Sequence, residues 1–171
     1  MDQSNVSPIR QFEGDYSFLS NFFLAQFYDD WLVSWPTVEH YFQAMKTTNK
    51  NEQEKIRNTG KPGGAKRLGK NVPLRNDWEP MKQDVMRKAL YYKFTQHENL
   101  QKDLITTYPQ YLEEGNWWHD NYWGNCYCPR CRSKPGLNIL GDLLMELRMY
   151  LTVLNRAPKP FLPEYAVPQR D

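Results

Sequence analysis

The longest regular spacing of apolar residues lies in the middle of the chain. Between residues 78 and 95, apolar side chains return every three or four positions, which is the period of a helix with one buried stripe. The stripe consists of Met81, Val85, Ala89 and Tyr92. Asn76 or Asp77 stands where the N-cap would fall, and Pro80 falls in the first turn, where its missing N–H costs no hydrogen bond.

A second helical repeat, built mostly from leucine, lies near the end of the chain. It begins near Asn138, which is a suitable N-cap residue, and continues to about Leu154. Its expected buried stripe consists of Leu140, Leu144, Leu147 and Leu151.

Shorter periodic segments predict the remaining elements. Two runs at about 22–28 and 31–35 flank Asp29-Asp30 and predict a small β-hairpin near the N-terminus. Further helices are expected at about 37–48, 51–58, 62–70 and 97–106, and short strands at about 111–114 and 122–125. Together the elements predict an α+β fold, mainly α-helical, in a single compact domain.

Composition and charge agree with one globular domain. The chain has 171 residues, of which 40% are hydrophobic, and a formal net charge of +2 that says little about partners. Since no apolar run reaches membrane-spanning length and residues 1–11 lack the apolar region of a signal peptide, we expect a cytoplasmic protein with no membrane partner. We assign a flexible N-terminal tail to 1–11, the domain to 12–154 and a Pro-rich tail to 155–171.

The segment Trp35–Lys46 combines polar and aromatic residues in an unusual way. Thr37 can cap a helix, and Glu39, Gln43 and Lys46 then follow at i, i+4 and i+7, on one helical face. A carboxylate, an amide and an amine in line beside aromatic residues suit a polar ligand. Taken alone, however, the segment is better explained by a solvated helix face.

Five motifs, met in a fixed order, change that interpretation. They are F-L-S-N-F at 18–22, W-P-T-V-E-H-Y-F-Q-A-M-K at 35–46, L-R-N-D-W at 74–78, D-N-Y-W-G at 120–124 and G-L-N-I-L-G-D-L-L-M-E-L-R at 136–148. In this order the chain resembles the YbiA-like family, also called NADAR, over roughly residues 12–151. The resemblance implies one mainly helical domain that hydrolyses N-glycosidic bonds.

Family members are linked to two substrates, so the resemblance leaves alternatives. One is ADP-ribose attached to guanine, and the implied partner is then an ADP-ribose-type nucleotide or an ADP-ribosylated nucleic acid. The other is a phosphorylated ribosyl-pyrimidine intermediate of riboflavin synthesis. A non-enzymatic alternative is a basic module, stabilised by its cysteines, that binds nucleic acid in a salt-dependent way.

Three residues are the candidate catalytic groups. Glu39 is the first choice for a carboxylate beside C1 of the ribose, where positive charge develops. Lys46 would lie roughly 10 Å from Glu39 along a helix, close enough for both to touch one ribose. A desolvated Lys46 could attack C1 and form a Schiff base, whereas a charged Lys46 could bind hydroxyls or phosphate. Asp120 is either an acid–base or ribose-binding group or an ordinary turn residue.

The candidate substrate contacts rest mainly on the resemblance. They are Ser20, Asn21, Gln43, Lys70, Trp123, Gly124 and Asn138. Trp123 could stack on the base or fill the core, and Asn138 could contact ribose or phosphate or merely cap its helix. Lys70 belongs to a run from 61 to 75 with five cations and no acid, which suits a phosphate groove or a solvated basic face.

All three cysteines of the chain lie in one short segment. Cys126, Cys128 and Cys131 are spaced C-x-C-x-x-C, and His119 is the nearest histidine. In a reducing compartment such a cluster favours structural zinc over a disulfide, with free or redox-sensitive thiols as the alternative. We expect catalysis itself to need no cofactor.

Overall fold

The computed structural model describes residues 6–156, which form an α+β fold that is mainly helical, as predicted. The elements, in chain order, are a 3-10 helix Gly14–Leu19, strands β1 Phe27–Tyr28 and β2 Ser34–Trp35, helices α1 Val38–Ala44, α2 Lys50–Arg57, α3 Pro62–Gly69, α4 Trp78–Gln96 and α5 Glu98–Thr106, strands β3 Gly115–Asn116 and β4 Asn125–Cys126, and helix α6 Ile139–Arg156.

Helix α4 runs through the centre of the core, where it packs against α1, α5, α6 and β1. Val85, Ala89 and Tyr92 of its predicted stripe are buried, but the prediction for Met81 is wrong, because 36% of that residue is exposed. The core position at this end of α4 is taken by Trp78, whose ring packs 5.1 Å from that of Phe42.

Helix α6 confirms its predicted stripe. Leu140, Leu144, Leu147 and Leu151 are all buried, and the helix packs against α4 and α5. Asn138 occupies the predicted N-cap position, since it directly precedes the helix and its carbonyl accepts the Asp142 N–H at 3.0 Å, but its side chain does not have the usual capping geometry. Asn138 instead has a φ of 52°, its Oδ1 accepts from the Glu114 N–H at 3.0 Å, and its Nδ2 donates to the Leu112 carbonyl at 2.9 Å.

The hairpin exists but is shorter than predicted. Antiparallel pairing is limited to Phe27 opposite Trp35 and Tyr28 opposite Ser34. The reason is Asp29, whose Oδ1 accepts the N–H groups of residues 31 and 33 and whose Oδ2 accepts the indole N–H of Trp35. The carboxylate therefore satisfies donors that a longer ladder would have used.

Helix α1 begins as predicted and ends early. The Thr37 hydroxyl accepts from the His40 N–H at 3.3 Å and also bonds the His40 ring at 2.8 Å, so Thr37 is the expected cap. The helix ends at Ala44 instead of continuing to residue 48, so Lys46 lies beyond its last turn. At the start of α4, Asp77 occupies the cap position, but its carboxylate binds the Arg75 guanidinium and not a helix N–H.

The segment after α5 pairs differently from the prediction. Strands β3 and β4 run parallel, with Gly115 opposite Asn125 and Asn116 opposite Cys126. Strand β3 therefore lies after the predicted 111–114, and β4 overlaps the predicted 122–125 only at Asn125. Leu112 instead forms a parallel bridge with Ile9.

Ile9 is buried although it lies in the segment expected to be a tail. The packed body therefore begins before Phe12, because Ile9 supplies both an apolar side chain and backbone pairing. At the other end, residues 155 and 156 belong to α6. The predicted tails at 1–5 and 157–171 lie outside the described residues. Within 6–156, none of the helices combines the length and apolar character needed to cross a membrane.

Candidate active site

A cavity of about 360 Å³ opens between α1, the turn after the 3-10 helix and the segment from Glu114 to Trp123, which is within the size range of ligand sites. Its wall includes seven of the predicted site residues: Ser20, Asn21, Glu39, Gln43, Lys46, Asp120 and Trp123. Residues far apart in sequence therefore meet at one polar cavity.

Glu39 forms the buried end of this cavity. Only 5% of the residue is exposed, and its Oε1 accepts a hydrogen bond of 2.8 Å from the Gln43 amide one helical turn later. The Gln43 amide oxygen in turn lies against Gly69 of α3, where an added Cβ would sit 2.1 Å from it. The contact between α1 and α3 thus sets the orientation of Gln43 and, through it, of Glu39.

The charge state of Glu39 reflects opposing influences. Burial raises the pKa of this carboxyl, whereas the Gln43 hydrogen bond and the charges of Lys66 and Lys46 lower it. Burial prevails, so the carboxyl gains a proton more readily than an exposed glutamate.

Lys46 lines the same cavity although α1 ends before it. Its Nζ lies 5.7 Å from the ring centre of Phe42 and 6.0 Å from that of Trp78. Burial lowers the pKa of Lys46, as do the neighbouring charges of Lys66 and Lys70, while Glu39 opposes the shift. Among the described residues, neither Glu39 nor Lys46 forms an ion pair.

Asp120 and Trp123 form the opposite wall. The Asp120 Oδ1 accepts the N–H groups of Tyr122 and Trp123 at 3.1 and 2.9 Å, which closes a tight turn. Trp123 packs edge-on against Phe42 at 5.2 Å, so it belongs to both the cavity wall and the core. Asp120 is therefore a turn residue that also lines the cavity, and its role as an acid–base or ribose-binding group stays a prediction.

Glu114 is a cavity carboxylate that the sequence analysis did not identify. Burial, together with the charges of Asp120 and Glu13, raises the pKa of Glu114 to about 7, against the opposing charge of Lys66. Its Oε2 is buried without a hydrogen-bond partner, and the same is true of Oδ1 of Asn21 and Oε1 of Gln43, two residues that also line the cavity. Three unsatisfied acceptors in residues of one cavity favour a ligand that brings hydroxyl or N–H donors.

Trp118 and Lys66 are two further cavity residues that were not singled out. Trp118 is 59% exposed and lies at the cavity wall, and the Nζ of Lys66 lies 5.7 Å from the ring of Phe22. Lys66 belongs to the basic run at 61–75, so the charge pattern indicated the segment but not the residue. No local pattern marks Glu114, because its burial depends on elements distant in sequence.

Three predicted contacts lie outside the cavity wall. Lys70 is exposed just after α3, Asn138 is buried with its amide bonded to residues 112 and 114, and Gly124 is buried against the Glu114 carbonyl. An added Cβ at Gly124 would lie 2.0 Å from that carbonyl oxygen. The close approach expected of this glycine is therefore to the protein's own backbone.

The ligand atoms of His119, Cys126, Cys128 and Cys131 all lie within 4.8 Å of one another. This set of four residues, the Cys-His cluster, could hold a metal ion. It uses the histidine that the sequence analysis named as the nearest fourth ligand. None of its four residues belongs to the cavity wall.

The fold and the cavity define a single mainly helical domain with a YbiA-like arrangement, built around a cavity lined by carboxylates, lysines and tryptophans. The chain belongs to the NADAR domain family, whose profile matches residues 9–152.

Known relatives agree with this assignment. The chain is 43% identical over 141 residues to N-glycosidase YbiA of Shigella flexneri serotype 5b, covering 81% of this chain and 84% of that protein. It is 38% identical over 127 residues to the chloroplastic riboflavin biosynthesis protein PYRR of Zea mays, covering 67% of this chain and 19% of that longer protein. The NMR structure of the E. coli protein YbiA matches with a TM-score of 0.78 at 38% identity, covering 93% of this chain and 92% of that one.

Proposed function

We propose that the chain is an N-glycosidase that hydrolyses the bond between C1 of a ribose and a base nitrogen, with ADP-ribose on guanine in nucleic acid or nucleotide as the substrate. The observation that carries the proposal is that Glu39 and Lys46 share one cavity with Glu114 and Asp120. The relatives named N-glycosidase support the reaction class.

In this proposal, the Glu39 carboxylate stabilises the positive charge that develops at C1 of the ribose. When the C1–N bond breaks, positive charge develops on the ribose, and a carboxylate fixed in a buried site stabilises that charge more strongly than one in water. The Gln43 amide, 2.8 Å from Glu39 Oε1, holds this carboxylate in position. Cleavage by water then adds OH to C1 and leaves the proton on the base.

Lys46 offers a covalent variant of the same reaction. With its pKa lowered by burial, the neutral amine can attack C1 as the base departs with the bonding electrons. Ring opening then gives an imine between Lys46 and the sugar, and water adds to the imine to release ADP-ribose and restore the amine. Direct attack by water gives the same products, so the two routes differ only in this trappable intermediate.

Glu114 is suited to protonate the departing base. Since burial raises the pKa of Glu114 to about 7, this carboxyl group is protonated in a large fraction of the protein molecules near neutral pH. Trp118, half exposed at the cavity wall, presents a flat surface on which a guanine could stack. The unpaired oxygens of Glu114 and Asn21 are available to ribose hydroxyls.

The phosphates of ADP-ribose are expected to lie outside the cavity. A shallow groove adjoins it at Phe22, runs along residues 59–64 at the start of α3 and reaches Arg67 in the last turn of that helix. Lys61 and Arg67 line this groove and Lys66 lines the cavity, so a pyrophosphate there would meet the helix N-terminus and several cations along the helix. This positive path also suits a nucleic-acid backbone.

A second candidate substrate is a phosphorylated ribosyl-pyrimidine of the riboflavin pathway. The observation that favours it is the 38% identity to a riboflavin biosynthesis protein. The same carboxylates would act on C1, and only the base and the phosphate contacts would differ.

The test uses DNA that carries ADP-ribosylated guanine, with released ADP-ribose followed by mass spectrometry. We expect release by the wild type and a loss of about 10²-fold or more in kcat/KM for Glu39→Gln, the scale of a missing electrostatic group. Glu54→Gln is the matched control, because Glu54 is an exposed glutamate on the neighbouring helix α2, and it should retain activity. Circular dichroism of each variant checks that the fold is kept.

The outcomes separate the alternatives. Borohydride should trap a sugar adduct that Lys46→Ala loses and Lys55→Ala keeps if the covalent route operates. Absence of release from DNA, with turnover of the ribosyl-pyrimidine phosphate, would move the assignment to the second substrate. Salt-sensitive DNA binding that survives Glu39→Gln, with no turnover of either substrate, would contradict the enzyme assignment altogether.

A further inference from the structure

We propose that the Cys-His cluster binds one zinc ion, and that this ion holds the wall of the cavity that carries Trp118 and Asp120. His119 lies in the loop between β3 and β4, Cys126 is the last residue of β4, and Cys128 and Cys131 lie in the loop that follows. The tertiary structure brings their ligand atoms to within 4.8 Å of one another.

The donor set fits zinc in type and number. Structural zinc takes four ligands in a tetrahedron, commonly three thiolates and one imidazole, with bonds of about 2.3 Å to sulfur and 2.0 Å to nitrogen. Such bonds place the ligand atoms roughly 3.5–4 Å apart. The His119 Nδ1 already lies 3.1 Å from the Cys128 sulfur and 3.4 Å from the Cys131 sulfur, so a small expansion would admit the ion.

The backbone around the cluster is arranged for thiolates. The His119 N–H donates to the Cys126 sulfur at 3.3 Å, and the N–H groups of Cys131 and Arg132 both donate to the Cys128 carbonyl at 3.0 Å, which turns the chain tightly between the two cysteines. His119 itself has a φ of 70°. A non-glycine residue in this left-handed region needs compensation from its surroundings, and a bond from its ring to a metal would supply it.

A disulfide would engage fewer of the four side chains of the Cys-His cluster than a zinc ion would. It would join two of the sulfurs and leave the third thiol and the imidazole without a role, whereas one zinc ion engages all four groups. Catalytic zinc keeps a position open for water, but here four protein ligands complete the shell, and none of them lines the cavity. The ion we propose is therefore structural.

The cluster is joined directly to the cavity. His119 lies between Trp118 and Asp120, both of which line the cavity wall. Asn116 binds the same turn from inside, since its Nδ2 donates to the Asp120 carbonyl at 2.7 Å and its Oδ1 accepts from the Asp120 N–H at 3.2 Å. A metal bound to His119 would therefore fix a turn whose neighbouring residues, Trp118 and Asp120, face the substrate cavity.

The first test measures metal in the purified full-length protein, with no chelator or added zinc, by inductively coupled plasma mass spectrometry. We expect about one zinc per chain. A four-ligand site should release this zinc to a chromogenic chelator only after the thiols are modified by a mercurial reagent. Fewer than about one zinc per ten chains, in protein whose three thiols are free and which does not gain thermal stability on adding Zn²⁺, would overturn the proposal.

Variants test the ligand set independently of activity. His119→Ala should lose most of the zinc and His119→Cys should keep it, because a fourth thiolate also completes the tetrahedron. His97→Ala is the matched control, since His97 bonds the Gln26 carbonyl away from the cluster, and its zinc content should equal that of the wild type. Full zinc occupancy in His119→Ala would contradict the assignment of His119 as a ligand.

The claim that zinc positions the cavity wall rests on the proposed function, and it is tested by a separate measurement, that of enzyme kinetics. Zinc removal from the wild type should lower the melting temperature and raise KM more than it lowers kcat, because the ion positions ligand-contacting residues without touching the reacting atoms. Unchanged KM in zinc-free protein would contradict the positioning role. If no glycosidase activity were found, the measured zinc content would still show whether the Cys-His cluster binds zinc.

Discussion

At the scale of single residues, burial gives ordinary side chains unusual protonation behaviour. Glu39 and Glu114 share one cavity, yet they differ in their partners, since Glu39 accepts from Gln43 while one oxygen of Glu114 is unpaired. Such differences can separate a carboxylate that stabilises charge from a carboxyl group that donates a proton.

Glu114 should impose a pH limit on activity. Its pKa of about 7 means that the protonated form prevails below pH 7 and disappears above it. If Glu114 protonates the leaving base, kcat/KM should fall about tenfold per pH unit above about pH 7.

The variant Glu114→Gln should lack this alkaline limb and be slower by about 10²-fold to 10⁴-fold below pH 7. The measurement is a pH profile of kcat/KM, with the exposed Glu79→Gln as control. An alkaline limb that persists in Glu114→Gln would assign the proton donor to another residue.

Lys93 should make stability depend on pH. It is completely buried, with its Nζ bonded to the carbonyls of Phe18 and Ser20 at 2.6 and 3.0 Å, and burial lowers its pKa to about 7. Between pH 7 and the usual lysine pKa of 10.5, the unfolded chain therefore binds a proton that the folded chain does not. The free energy of unfolding should rise with pH across this window, by up to about 1.4 kcal/mol per unit for this one group.

Urea unfolding of the wild type and Lys93→Met at pH 7, 8 and 9 isolates this contribution, since the other titrating groups are shared. The stability difference between the two proteins should shift in favour of the wild type as pH rises. A difference that stays constant over this range would show that Lys93 keeps its proton in the folded state.

At the scale of elements, the contact between α1 and α3 controls the site. These helices pack closely because Gly69 has no side chain where the Gln43 amide lies. The packing distance between two helices thus determines where the Gln43 amide, and the carboxylate it binds, can sit.

Gly69→Ala should disturb both stability and activity. The new Cβ would lie 2.1 Å from Gln43 Oε1 and 2.8 Å from its Cβ, so α3 or Gln43 must move. We expect a stability loss of about 1–3 kcal/mol, typical of overpacking, and a fall in kcat as Glu39 loses its orientation.

The matched control is Gly63→Ala in the same helix, where an added Cβ meets nothing within 4 Å. It should raise stability slightly, by about 0.4–1 kcal/mol. Gly63 lines the proposed phosphate groove and not the cavity, so any effect of this variant on turnover should fall on KM and not on kcat. Equal behaviour of the two variants in denaturant and in kcat would show that the α1–α3 contact does not control the site.

At the scale of the whole molecule, the hydrophobic core and the cavity share helix α6. Leu144 of this helix is completely buried in the core, and Leu140, one turn earlier, lines the cavity. The site and the fold should therefore lose stability together.

Leu144→Ala should lower the free energy of unfolding by about 2–5 kcal/mol, the range for buried leucines. Leu24→Ala, at a residue that is 76% exposed, should change it by less than about 0.5 kcal/mol. Guanidinium unfolding followed by tryptophan fluorescence measures both. A loss below 1 kcal/mol for Leu144→Ala would mean that α6 is not integral to the core.

Local sequence alone accounts for much of this protein. The leucine stripe of α6, the Thr37 cap and the position of α4 follow from side chains three or four residues apart, because helical periodicity and capping are short-range effects. The ordered motifs indicated the NADAR family. The cavity is lined by Glu39, Gln43 and Lys46 together, because these residues are neighbours in one segment of the chain.

Tertiary structure alone decided what depends on distant segments. The burial of Glu114 and the exposure of Trp118 arise where the 114–123 segment meets α1. Asn138 stands at the start of its own helix, but its side chain binds the Glu114 N–H and the Leu112 carbonyl. Pairing partners, burial and the resulting pKa values come from contacts between residues tens of positions apart, which no local pattern encodes. The residue types were therefore readable from the sequence, whereas their environment was determined only by the folded chain.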